Sequence, residues 1–448
     1  MKKTLLTLAT LGLVTLAAQA QWVNQPITFA NSTMGVVQLD AVNATTAWGL
    51  AIDPFTGDYE LARTTNGTTW TAGAGTSLGT SQFVTFVSAL DANTAWVSTI
   101  SQAGGKILKT TDGGATWTTQ TTATQFGGAD SYPNFVYFFN ATEGVALGDP
   151  DGATPGMEIY TTTNGGTTWT RATNIPAALG TELGALNPSG MTTPPAVFGN
   201  SIWFPTTEGR VYYSTNKGLT WSVSDTGLND EISAISFASA TAGLAVVSTS
   251  GGAQQVKRTT DGGVTWTTVT YTGTLRGLAL DNIPGKTGYV SAGTSLFGQA
   301  GSSYSFDNGA TWTNLETTTE HISLDLVSAT EGWTGGINPT TFSGTGVNKL
   351  SSSVLGNRRD AVLQQALSVY PNPSHDGVFT LNLATSLPQA TALRVTDALG
   401  REVYRTSLNA TSVRASSAML DLRQHKAGLY TLELRSDKGV AQQKLVIQ

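Results

Sequence analysis

The 448-residue chain contains no cysteine, which excludes disulfides, thiolate metal sites and a thiol nucleophile. Histidine is almost as scarce, and His321, His375 and His425 lie too far apart in sequence to suggest zinc. Only 12% of residues are charged, about half the ~25% of an ordinary globular chain. Beyond the first 20 residues no segment is apolar for long enough to span a bilayer, which takes ~20 residues. The charge is also unevenly divided. Residues 21–353 hold 11 Lys+Arg against 23 Asp+Glu, whereas residues 354–448 hold 11 against 7. An acidic body with a mildly basic tail argues against nucleic acid as the main partner, and two composition regimes predict two domains.

Thr, Ser, Gly and Asn replace the missing charge, a composition suited to strands and turns. The start reads as an export signal over residues 1–20. Lys2 and Lys3 precede an apolar stretch from Leu5 to Ala17, and Ala18-Gln19-Ala20 is a small-x-small cleavage site. The stretch is short for a membrane anchor, so no membrane span is expected after signal removal.

Six short turns recur. TTNGTTW ends at Trp70, TTDGGATW at Trp117, TTNGGTTW at Trp169, STNKGLTW at Trp221, TTDGGVTW at Trp266 and SFDNGATW at Trp312. The tryptophans are spaced by 47, 52, 52, 45 and 46 residues, a period that signals a propeller, solenoid or array. The third position of each turn is Asn66, Asp112, Asn164, Asn216, Asp261 or Asp307. Either residue type accepts hydrogen bonds from backbone N–H groups just ahead, and the following glycine permits positive φ. Asn cannot act as a general acid or base, so its presence in three copies makes these positions structural rather than catalytic. The pattern S/T-x-D/N-x-G-x-T-W resembles the Asp-box, or BNR repeat. That resemblance implies a β-propeller with one box between the third and fourth strands of each blade.

Strand patterns agree with blades of four strands. Phe83 to Val87, Ala95 to Thr99, Lys106 to Thr110 and Thr116 to Thr118 form the second blade. Phe135 to Phe139, Gly144 to Leu147, Glu158 to Thr161 and Thr168 to Arg171 form the third. After Trp312 a further set of strands (ISLDLV, GWTGG, VNKLSS) ends without a box, and QWVNQP at Gln21 resembles the segment following a box. These features predict seven blades in an all-β fold, with the N-terminal strand of Trp22 completing the last. An open six-bladed ring with a stray hairpin is the alternative.

Residues 354–367 are the one helix-leaning or flexible stretch and read as a linker. From residue 368, about seven short alternating strands predict a small immunoglobulin-like β-sandwich, including a hairpin at Ala398-Leu399-Gly400. YPNP, D-x-x-G-R-x-V, AGLY and the KLVIQ ending together resemble the type A C-terminal sorting domain of the type IX secretion system, over residues 368–448. The resemblance implies secretion or display at the outer-membrane surface, with the type IX machinery as partner. An adhesive sandwich is the alternative.

Chemistry is expected on the face opposite the boxes. There Asp149 and Asp151 (GDPDG), Glu182 in the long loop 172–195, and Glu208 with Arg210 (TEGR) could converge as carboxylates for glycoside hydrolysis. They read equally as solvated turn residues. GDPDG falls far short of a defined calcium loop, and no residue is assigned to a cofactor or metal. The body has five arginines, Arg63, Arg171, Arg210, Arg258 and Arg276, and none has the R-I-P context of sialidases. Xyloglucanase-type propellers use a cleft between two propellers, and one is expected here. The run G-x-A-x-G before TTNGGTTW resembles the non-enzymatic photosystem assembly-factor-like propellers. The resulting expectation is a surface or secreted propeller that binds a glycan or protein, with a glycoside hydrolase or polysaccharide lyase as the alternative.

Overall fold

The computed structural model describes residues 22–351 and 361–448, apart from 79–81, 129–130, 153–154, 187–189, 229, 248–253, 384–390, 398–400, 409–416 and 437–438. The expected signal peptide, the first half of the expected linker and the turn at 398–400 lie outside the described residues.

Seven antiparallel sheets follow one another in the body. Their innermost strands are Gly35–Asn43, Phe83–Ala89, Pro133–Phe138, Ala196–Phe198, Ala234–Phe237, Ala279–Asn282 and His321–Leu326. Each is followed by a second and a third strand, then by a turn ending in tryptophan and a fourth strand, except in the seventh blade. The sixth sheet gains a short fifth strand, Thr272–Gly273, paired in parallel with Thr311 and Trp312. The seventh takes its outer strand from the N-terminus: Trp22–Gln25 pairs antiparallel with residues 347–350. The fold is a seven-bladed propeller closed by its N-terminal strand, and closure leaves no gap at which an inner sheet edge could pair with another chain.

The seam explains why Trp22 matters. Its ring is buried, its Nε1 donates to Ser302 Oγ at 2.8 Å, and it packs 5.2 Å from the buried His321 ring. His321 in turn bonds Thr334 Oγ1 at 2.6 Å and Glu316 Oε1 at 3.0 Å. Elsewhere the blades are locked by second-strand tryptophans. Trp96 stacks on Phe138 of the next blade at 3.5 Å and donates to Gly165 O at 3.2 Å in that blade's turn. Trp203 repeats both contacts with Phe237 and Gly262 at 3.6 and 2.7 Å. Each ring thus buries a large area while its N–H is satisfied.

The six tryptophan turns share one geometry. The side-chain oxygen of Asn66, Asp112, Asn164, Asn216, Asp261 or Asp307 accepts from the backbone N–H of the residue before tryptophan at 2.9 Å in every copy. A preceding Thr or Ser hydroxyl accepts from the glycine N–H, as Thr110 does from Gly114 at 2.9 Å. Gly114 has φ 89°, and a Cβ there would lie 2.1 Å from Ala74 O. These bonds hold Thr116, Trp117, Thr168 and Trp169 in the turn, so the fourth strands of blades two and three are shorter than expected, Thr118–Thr119 and Thr170–Arg171. Trp70, Trp169, Trp221 and Trp312 are buried, whereas Trp117 and Trp266 are half-buried. The Trp169 Nε1 is buried without an acceptor.

The C-terminal part holds seven strands among the described residues. Leu367–Tyr370, Val378–Leu383 and Ser417–Asp421 form one sheet, and Thr391–Asp397, Glu402–Leu408, Gly428–Ser436 and Gly439–Ile447 the other. Phe379, Leu381, Leu393, Val395, Leu432, Leu434 and Leu445 form the core of this immunoglobulin-like sandwich. The described part of the expected linker is mostly helical. Ala361–Ala366 is a helix whose Leu363, with Leu367 after it, is buried in that core, because the apolar side chains recur one helical turn apart.

Candidate functional site

The face opposite the tryptophan turns is built from the loops between second and third strands and from the links between blades. There the long loop after the third blade is anchored by carboxylates. Glu182 is fully buried: its Oε2 lies 3.1 Å from Arg210 Nη1 and accepts from Leu179 N at 2.9 Å, and its Oε1 accepts from Thr206 Oγ1 at 2.7 Å. Asp149 accepts from Gly184 N at 2.7 Å, and burial pushes its carboxyl up to about 6 against the hydrogen bonds from Gly184 and Asn134. Asp151 is half-buried and paired with Arg171 at 2.7 Å. Glu208 is exposed. Asp149 and Glu182 therefore come together under residues 179–184, but as the footing of the loop rather than across an open cleft.

Glu158, not singled out from the sequence, anchors the link between blades two and three. It is buried and accepts from Phe126 N at 3.0 Å and Tyr160 Oη at 2.8 Å. Among the described residues no three His, Asp or Glu side chains are arranged to hold a metal ion. The arginines are dispersed. Arg63 donates to Ala92 O, Arg258 Nε is buried without a partner, and Arg276 is held by Ala300 O, Thr274 O, Asn314 Oδ1 and Glu316 O. None lines the central channel.

The channel is a cavity of about 270 Å³ walled by all seven innermost strands. Its charged residues are Asp40, Asp281 and Asp325, with Tyr137 across from them and no Lys, Arg or His. The three aspartates stand on blades one, six and seven, adjacent in the ring. Innermost strands of neighbouring blades share no backbone ladder, so their N–H groups need other acceptors. Asp281 accepts from Leu326 N at 2.8 Å, Asp325 from Ala41 N at 2.6 Å and Asp40 from Ala89 N at 2.7 Å. Ser88 does the same for Phe138 N at 3.2 Å. Each side chain reaches the following blade.

Burial pushes Asp40 and Asp281 up to about 7, and burial and the charges of Asp281 and Asp40 hold Asp325 well above the usual carboxylate range. Tyr137 is raised by burial and by Asp40 and Asp325. This arc holds protons near neutrality, so the channel wall gains negative charge only as the pH rises through that range. Sequence reasoning passed over it, although one signal was available: Leu39-Asp40, Leu280-Asp281 and Leu324-Asp325 occupy equivalent positions at the ends of innermost strands.

Residues 368–448 match the secretion system C-terminal sorting domain family. No curated protein matches the chain in sequence. Among solved structures, YCF48 from Cyanidioschyzon merolae is similar at 17% identity and a TM-score of 0.52, over 74% of this chain and 99% of that one. A YCF48 bound to a D1 peptide is 14% identical with a TM-score of 0.49, over 74% and 97%. A GH74 enzyme of Niastella koreensis is 14% identical with a TM-score of 0.43, over 95% of this chain and 74% of that one. The first likeness is one of fold, and the other two carry no argument. Among the described residues no helix is long and apolar enough to cross a membrane. The chain ends in a sorting domain and is exported by type IX secretion to the cell surface or extracellular space.

Proposed function

We propose that residues 21–353 are an Asp-box propeller that binds an extracellular glycan or protein. In this reading signal peptide 1–20 and sorting domain 368–448 carry it out of the cell, with residues 354–367 joining the two parts. The six tryptophan turns act as structural boxes. The observation behind the binding reading is the use of the candidate acids. Asp149, Asp151 and Glu182 each spend their carboxylate on a loop N–H or an arginine, which leaves no opposed pair for hydrolysis among them.

One observation favours the alternative, a glycoside hydrolase or polysaccharide lyase: Asp149 is pushed up to about 6, in the range of a general acid. Incubation of the full chain with a panel of polysaccharides separates the two. Retention without product supports binding. New reducing or unsaturated ends that disappear in Asp149→Asn would make the protein an enzyme. Neither product nor retention would turn the binding reading toward protein ligands.

A further inference from the structure

The loops between second and third strands on the first and seventh blades are neighbours because the ring closes there. Each carries a phenylalanine, Phe55 and Phe342, and the two rings meet edge to face at 5.8 Å. Yet 68% of Phe55 and 40% of Phe342 is open to solvent. The rings are held rather than left loose. Asp53, almost fully buried, accepts from Phe55 N at 2.8 Å and Thr33 Oγ1 at 2.7 Å. Asn338 Oδ1 accepts from Thr340 N at 2.9 Å and Thr341 N at 3.2 Å, and Phe342 follows at φ 53°. A bulky side chain in this left-handed region costs ~1–2 kcal/mol. Exposing two phenyl rings, one on a strained backbone, does nothing for folding.

The surroundings select the occupant by charge. Aromatic faces are electron-rich and attract cations. Loops 53–59, 294–300 and 338–343 contain no Lys, Arg or His. Asp58 is exposed on the Phe55 loop, and Phe297 on the sixth blade is exposed on the same face. Glu60 and Glu320 are half-buried and accept from Ala30 N at 3.0 Å and from Ser295 N and Oγ at 2.7 Å. The nearby Arg276 is buried and fully engaged. On the opposite side of these blades, Arg63 and Lys349 are held by the carbonyls of Ala92, Ala44 and Gly67. Channel carboxylates Asp40, Asp281 and Asp325 belong to the same three blades.

We propose that the Phe55–Phe342 pair is a platform that docks a cationic, arginine- or lysine-bearing segment of a protein partner. This rests on the reading of the propeller as a binding module and narrows it to one class of ligand. The test is titration of the full chain with a labelled peptide of six arginines spaced by Gly-Ser, a glutamate counterpart, and a neutral glucan hexasaccharide.

The arginine peptide is expected to bind and the glutamate peptide not to. Phe55→Ser with Phe342→Ser should weaken binding about tenfold, Phe55→Tyr with Phe342→Tyr should retain it, and Asp58→Asn should weaken it about twofold. All variants should remain folded, checked by their melts, since Phe55 and Asp58 are exposed and Phe342 is 40% open. Unchanged arginine-peptide binding in the serine variant would show attraction by net charge alone and overturn the platform. Binding of the hexasaccharide that is lost in the serine variant would overturn the cationic partner while leaving the binding module intact. Failure of every probe also overturns the platform. The broader reading is judged separately by polysaccharide retention.

Discussion

Two groups of buried carboxylates in this propeller differ in what answers their charge. On blades three and four, Glu182 faces Arg210 and Asp151 faces Arg171. In the channel arc of blades six, seven and one, Asp281, Asp325 and Asp40 have backbone N–H groups but no cation; burial raises all three, and Asp281 and Asp40 raise Asp325 as well. The first group is charged scaffolding that pins a long loop. The second is an under-compensated set that stitches neighbouring blades and keeps its protons to near neutrality. Burial alone therefore says little about a carboxylate, and its partner decides the role.

The sharpest way to break this contrast is Arg210→Ala, which leaves Glu182 buried without its cation. It should cost about 3–5 kcal/mol in urea unfolding, and a loss below about 1 kcal/mol would place Glu182 among the under-compensated carboxylates. Trp22→Ala should cost about 3 kcal/mol by opening the seam of the blade that carries Asp325, with most of the loss in unfolding measured at any pH.

In the arc the sign is reversed. A folded-state value near 7 for Asp40 and Asp281, against about 3.8 in the unfolded chain, means that the folded protein binds more protons across that window. Stability conferred by these sites is greatest below about pH 4 and is lost as pH rises to about 7. Asp40→Asn with Asp281→Asn retains an oxygen acceptor and removes the charge. It should stabilise the protein by about 1–3 kcal/mol at pH 8 and by much less at pH 4, measured by thermal melts at both. Equal effects at the two pH values would contradict the contrast. The smallest effect is expected at an exposed carboxylate: Asp112→Asn should leave the thermal melt nearly unchanged, because Asn66, Asn164 and Asn216 make the same turn bond.

Much of the architecture was legible because it repeats. The tryptophan turns and the strand patterns between them implied blades, and the likeness of QWVNQP to a post-box segment anticipated the pairing of Trp22–Gln25 with the seventh blade. The sandwich strands were legible from alternation. The stretch 354–367 reads as helix-leaning or flexible, and Ala361–Ala366 is helical; that its Leu363 packs into the sandwich core required coordinates. Of the acids chosen from GDPDG and the long loop, Asp149 and Glu182 came together under residues 179–184, but the engagement of Asp149, Asp151 and Glu182 by loop N–H groups, Arg171 and Arg210 required coordinates.

By itself the sequence determined the repeat, the turn chemistry and the secretion tail, since each is written in local spacing and side-chain type, whereas it left seven closed blades and an open six-bladed ring as alternatives. Only the tertiary structure decided which carboxylates share a wall and which phenyl rings share a face. Asp40 and Asp325 are 285 positions apart, as Phe55 and Phe342 are 287 apart, and they meet because the ring closes and makes the first and last blades neighbours. No local pattern encodes that distance, because both pairs are set by the closure of the whole circle.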